Sequence, residues 1–147
     1  MKTKKIITTM CIFCAALLFA SCTSEEQAIK NNSNWRLVDI TTDLQIPESV
    51  KNVEITLNIN NNTVAGFSGC NHYFGGITIT GQKVELSNMA STKMMGTPDE
   101  MELEMLYLNK LQSVNSFKIQ DGQLVLFDAS GKKLLTFAET EAQIENN

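Results

Sequence analysis

Between Val53 and Ile59 the chain reads VEITLNI, with Val53, Ile55, Leu57 and Ile59 alternating with Glu54, Thr56 and Asn58. Successive side chains of an extended chain point to opposite faces, so this run fits a half-buried strand and no helix. The device recurs between turn signals. Asn60-Asn61-Asn62-Thr63 ends the run, and Thr63 to Phe67 returns as a second strand. Ile77 and Ile79, then Val84 and Leu86, flank Gly81-Gln82 as the arms of a hairpin. Phe117-Lys118-Ile119 and Leu124 to Phe127 flank Asp121-Gly122, and Lys133 to Phe137 follows a turn at Asp128-Ala129-Ser130-Gly131. With an opening strand at Trp35, Leu37 and Asp39-Ile40, the reading gives about seven or eight short antiparallel strands. Phe117, Ile119, Leu124, Leu126, Leu135 and Phe137 are expected to share one inward face.

One segment departs from this period. TPDEMELEMLYLNKLQSV offers Thr97 as a helix N-cap, Pro98 at the first helical position and Glu100 three residues after the cap. Leu103, Tyr107, Leu111 and Val114 fall along one stripe of that helix, with Met101, Met105 and Leu108 assigned to its buried side. The expected fold class is α+β: a strongly bent or partly closed antiparallel sheet with one helix inserted before the last three strands.

The N-terminus, MKTKKIITTMCIFCAALLFASC, has Lys2, Lys4 and Lys5, then an apolar run from Ile6 to Ala20, then small residues. That is the layout of a secretory signal, too short to span a membrane. Its end, Leu18-Phe19-Ala20-Ser21-Cys22, resembles a bacterial lipobox, with Phe19 where Leu, Val or Ile is usual. The expected organisation is a lipoprotein signal over 1–21, a polar tether over 22–34 lipidated at Cys22, a domain over 35–138 and a polar tail over 139–147. An ordinary signal peptide cut nearby, leaving a soluble periplasmic protein, is the alternative. Glu25 and Glu26 directly after Cys22 resemble the surface-export signal of some Gram-negative lineages. The expected location is the cell envelope, as an outer-membrane lipoprotein, with exposure at the cell surface as an option.

Removing residues 1–21 takes away three lysines and no acid, so the formal charge falls from −4 to −7. So acidic a body disfavours nucleic acid and anionic headgroups, which require clustered Lys and Arg. Its attachment to the membrane would be through lipid. Of the four cysteines, Cys11 and Cys14 leave with the signal and Cys22 is capped, so Cys70 remains alone, without a partner for an intrachain disulfide.

Trp35-x-Leu37, then GCNHYFGGITITGQKVEL, then MASTKMMG before an acidic helix and a terminal FKIQDGQLVLFDASGKKLLTF, together resemble the META/HslJ-like domain of bacterial envelope lipoproteins. The resemblance runs from about Trp35 to Phe137. It implies a compact β-rich fold and an association with heat shock, drug tolerance and virulence, and it carries no catalytic residues. Members often have a cysteine after the methionine of the second motif, where this chain has Met95-Gly96. A pairing of Cys70 with that position therefore has no second thiol here.

Within GCNHYFGG, Cys70 stands two positions from the only histidine, His72. A nucleophile and its base would need to meet within hydrogen-bond reach, with a third group to orient the ring. Zinc would need three or four ligands, and only two of the preferred type exist outside the lipid anchor. The glycines at 66, 69, 75 and 76 instead suggest a structural turn at Gly69, Cys70 and Asn71, with Asn71 bonding to local backbone. Five of the seven methionines, Met89, Met94, Met95, Met101 and Met105, fall within seventeen residues. Thioethers take copper(I) and also make adaptable apolar surfaces; Met94 and Met95 are candidates to line a groove. The reading is a non-enzymatic, lipid-anchored envelope protein without a cofactor, receiving a protein partner or a small apolar ligand. The alternative is a thiol or copper protein centred on Cys70, His72 and the methionines.

Overall fold

The computed structural model describes residues 28–140, so the signal segment, Cys22 and the chain beyond Thr140 lie outside the described residues. Eight antiparallel strands run in sequence order round one sheet. They are β1 (Ser33–Ile40), β2 (Thr56–Asn60), β3 (Thr63–Phe67), β4 (His72–Thr80), β5 (Lys83–Ser91), β6 (Ser116–Gln120), β7 (Gln123–Phe127) and β8 (Lys133–Thr140). β1 also pairs with β8, from Asn34↔Thr140 to Ile40↔Leu135, and this turns the sheet into a barrel. Closure is uneven, because β5 and β6 pair only at Lys83↔Ser116. The helix α1 (Pro98–Gln112) is the insertion between those two strands.

Turn chemistry explains the hairpins. Asp121 and Gly122 both take positive φ, 52° and 75°, between the paired residues Gln120 and Gln123, the backbone a two-residue turn needs to match strand twist. Gly81 does the same, at φ 59°, between Thr80 and Lys83. The alternating run enters its ladder later than its pattern suggests. Val53 gives its N–H to Val50 O and Ile55 O accepts from Leu37 N, so these residues are held by loop bonds and β2 starts at Thr56. The second departure is in the glycine-rich motif, where the loop is confined to Ser68–Asn71 and β4 already begins at His72.

Phe117, Leu124, Leu126, Leu135 and Phe137 are buried and Ile119 packs against them, which makes one inward face. The interior is filled. Leu57, Val64, Ile77, Leu111 and Leu126 enclose a residual space of only about 10 Å³, at the lower limit for one water. Ile29, before β1, also packs on this core.

α1 begins at a reciprocal cap: Thr97 Oγ1 accepts from Glu100 N and the Glu100 carboxylate accepts from Thr97 N. These bonds satisfy N–H groups that the first helical turn leaves without partners. Its buried residues are Leu103, Tyr107 and Leu111, four residues apart along one stripe. Met101 and Met105 are not part of that stripe, contrary to the sequence expectation; they are 50% and 61% exposed. The barrel covers a narrower arc of the helix than the apolar composition suggests. Tyr107 reaches deepest, with its hydroxyl 2.7 Å from that of Tyr73 and its ring edge-on to Phe137. Tyr73 donates to Thr56 O, so Tyr107 is the donor to Tyr73. Burial pushes both phenols well above their ordinary range.

Candidate functional site

The loop Ser68–Asn71 closes the β3–β4 hairpin: Ser68 N donates to Asn71 O at 2.8 Å, next to the pair Phe67↔His72. Gly69 takes φ 106°, a conformation that side chains with a Cβ rarely adopt. This turns Cys70 and Asn71 inward, toward α1 and the chain leaving β5.

Asn71 is 4% exposed and fills its whole hydrogen-bonding capacity. Its Oδ1 accepts from Thr92 Oγ1 at 2.8 Å and from Met94 N at 2.7 Å. Its Nδ2 donates to Met94 O at 3.3 Å and to Glu104 Oε1 at 3.1 Å. An amide side chain has two acceptor sites and two donors, so nothing is left for a substrate. Glu104 completes the clamp: Oε2 accepts from Asn71 N and stands 2.7 Å from Ser68 Oγ. The Ser68 hydroxyl is also 2.7 Å from Asn71 O, and its single proton serves one of the two acceptors at a time. Three separate pieces of chain, the β3–β4 loop, residues 92–94 and α1, are thereby tied at one point.

Glu104 has no place in the sequence reading. The available signal was its position one residue after Leu103 and three before Tyr107, on the edge of the buried stripe. A carboxylate there must either reach water or find donors, and the loop supplies them.

Cys70 is buried, and its Sγ is 3.7 Å from Met94 O. Burial pushes the thiol up, the carboxylates of Glu104 and Glu100 push it further, and a bond from Gly96 backbone acts against them. That is the opposite of an activated nucleophile, which needs a stabilised thiolate. His72 is exposed at the start of β4, its ring 5.3 Å from that of Phe67, and no hydrogen bond joins it to Cys70. Glycine at position 96 makes room for the sulfur: a Cβ added there would lie 2.5 Å from Cys70 Sγ.

Among the described residues no three His, Cys, Asp or Glu side chains are grouped so that they could hold a metal ion. Met94 and Met95 are both exposed, at 57% and 93%. With Met101 and Met105 they border the clamp, since Met94 backbone bonds to Asn71 and Met101 and Met105 flank Glu104 on α1. At the other end of the barrel an open depression of about 240 Å³ is lined by Lys30, Trp35, Ile119 and Glu139. No helix of the described residues is long and apolar enough to cross a membrane.

Solved structures of similar extent share this architecture. A protein from Burkholderia xenovorans, solved by NMR, is 24% identical with a TM-score of 0.62, over 76% of this chain and 84% of that one. A DUF4847 family protein from Bacteroides vulgatus is 12% identical with a TM-score of 0.54, over 76% of this chain and 95% of that one. At such identities the likeness is one of fold. No curated protein matches the chain significantly. The family model of the META domain matches residues 27–141, from just before Ile29 to just past the end of β8. The chain belongs to the META domain family.

Proposed function

We propose that this is a non-enzymatic, lipid-anchored envelope protein that docks another protein on the outer flank of α1. The observation that carries the reading is the contrast in use of side chains: the polar motif residues are spent on internal bonds, while four thioethers around them face solvent. Flexible, polarizable methionines make surfaces that adapt to a partner. The filled barrel favours a protein over a small apolar ligand held inside, because the residual space admits no such molecule. The thiol or copper alternative has less support, since Cys70 is buried with a raised pKa and His72 points elsewhere.

Anchoring follows from the signal-like N-terminus and the small residues before Cys22, and the acidic body argues against nucleic acid as the partner. The test uses the full chain in cells. A photo-crosslinking residue at Met95 is expected to give a discrete protein adduct, and the same residue at exposed Lys132 is not. Cys22→Ala is expected to leave the membrane fraction. Equal adducts at both positions would overturn the docking reading, and a processed Cys22→Ala protein that stays on the membrane would overturn the anchor.

A further inference from the structure

The two ends of the barrel are unlike. The start of β1 at Ser33, the end of β8 at Thr140 and the turns at 60–63, 80–83 and 120–123 lie together at one end. The Ser68–Asn71 loop, the 128–132 loop and the clamped start of α1 lie at the other. The chain enters at the turn end and is fixed there at once: Ile29 packs on the core, Lys30 stands 3.7 Å from Glu139, and buried Ser33 accepts from Trp35 Nε1. Only residues 23–27 separate Cys22 from Ala28, where the described fold begins.

That spacing limits where a lipid on Cys22 can sit. Fully extended, the chain from Cys22 to Ala28 reaches about 20 Å. The nine residues of β4 alone span about 30 Å, or about 23 Å along the axis of a barrel with tilted strands, and the loops add to that height. Turning the α1 end to the bilayer would pull the tether straight along the barrel wall, at a cost in conformational entropy for every residue. Resting on the turn end needs no such stretching. Charge favours the same pose. At the turn end Lys30, Lys83 and Lys118 balance Glu85, Asp121 and Glu139, whereas α1 carries Asp99, Glu100, Glu102 and Glu104 against Lys110 alone. Glu25 and Glu26 in the tether disfavour an anionic surface beneath it.

We infer that the turn end rests on the zwitterionic headgroups of the bilayer that holds the lipid, with the methionine flank of α1 turned to the aqueous side. This rests on the anchor at Cys22 proposed above and gives that anchor an orientation. The depression between Lys30, Trp35, Ile119 and Glu139 then faces the headgroup layer, where its one charge of each sign matches a zwitterion. The partner of the methionine flank approaches from water.

The test uses the lipidated full chain in phosphatidylcholine vesicles, with Gln82→Cys at the turn end or Lys132→Cys at the other, both exposed positions. The readout is the rate of modification by a maleimide-bearing polymer, against the same variants carrying Cys22→Ala in solution. Gln82→Cys is expected to react roughly tenfold more slowly on vesicles, and Lys132→Cys at an unchanged rate. Inserting twelve Gly and Ser residues after Gln27 is expected to abolish the slowing without moving the melting temperature. Equal rates at both positions in a protein that floats with the vesicles would overturn the orientation and spare the anchor. Slowing at both positions would mean that the barrel lies on its side, and slowing that survives the insertion would remove the short tether as its cause; either overturns the inference. A processed chain that carries no lipid at Cys22 would overturn the anchor and the orientation together.

Discussion

The Asn71 clamp and the β5 edge lie within about twenty residues of each other, and they treat hydrogen bonding in opposite ways. In the clamp a buried amide and a carboxylate satisfy each other, the loop and the chain after β5, with every lone pair and proton of Asn71 assigned. At the edge, β5 beyond Val84 has no β6 residue paired with it among the described residues. Groups that are internally satisfied hold a structure in place, whereas free groups are what a partner can read. The motif that first attracts notice in the sequence is therefore scaffolding, and the proposed docking falls to the exposed surface beside it.

The largest expected effect falls on the clamp. Asn71→Leu removes four bonds and strands the Glu104 carboxylate and Met94 backbone, so a loss of about 3–5 kcal/mol is expected in denaturant melts. A loss below about 1 kcal/mol would mean that water replaces the amide and that the clamp is dispensable. Gly96→Cys sharpens the same region from another side. The position faces Cys70 Sγ at 2.5 Å from an added Cβ, so the oxidised variant is expected to form that disulfide and gain about 2–4 kcal/mol. Two free thiols by mass after air oxidation would contradict the placement of residues 94–96.

Smaller effects belong to the periphery. Thr97→Ala deletes one half of the reciprocal cap and is expected to cost about 0.5–2 kcal/mol in the same melts. Met95→Ser, at a position 93% exposed, is expected to change stability by less than about 0.5 kcal/mol. A larger destabilisation would place Met95 in the fold and remove it from the docking surface.

Local chemistry was legible in the sequence and long-range pairing was not. Asp121-Gly122, Gly81-Gln82 and the Thr97-Pro98-Glu100 start act within a few residues, and the structure forms each of them. Closure through β1 and β8 joins residues about a hundred apart, and nothing near Trp35 signals that Glu139 is its neighbour. Glu104 was missed for the same reason, since its partners Ser68 and Asn71 lie more than thirty residues away. Met101 and Met105 were assigned inward because apolar composition alone cannot set the width of the buried arc.

The most direct measurement of the central claim sets thermal melting beside Met95 cross-linking for three variants of the full chain. Cys70→Ser and His72→Ala, made separately, are expected to melt near the wild type and keep the adduct. Met101→Glu with Met105→Glu is expected to melt near the wild type and lose it. A Cys70→Ser protein that melts like the wild type yet loses the adduct would contradict the account and return the thiol to the functional site.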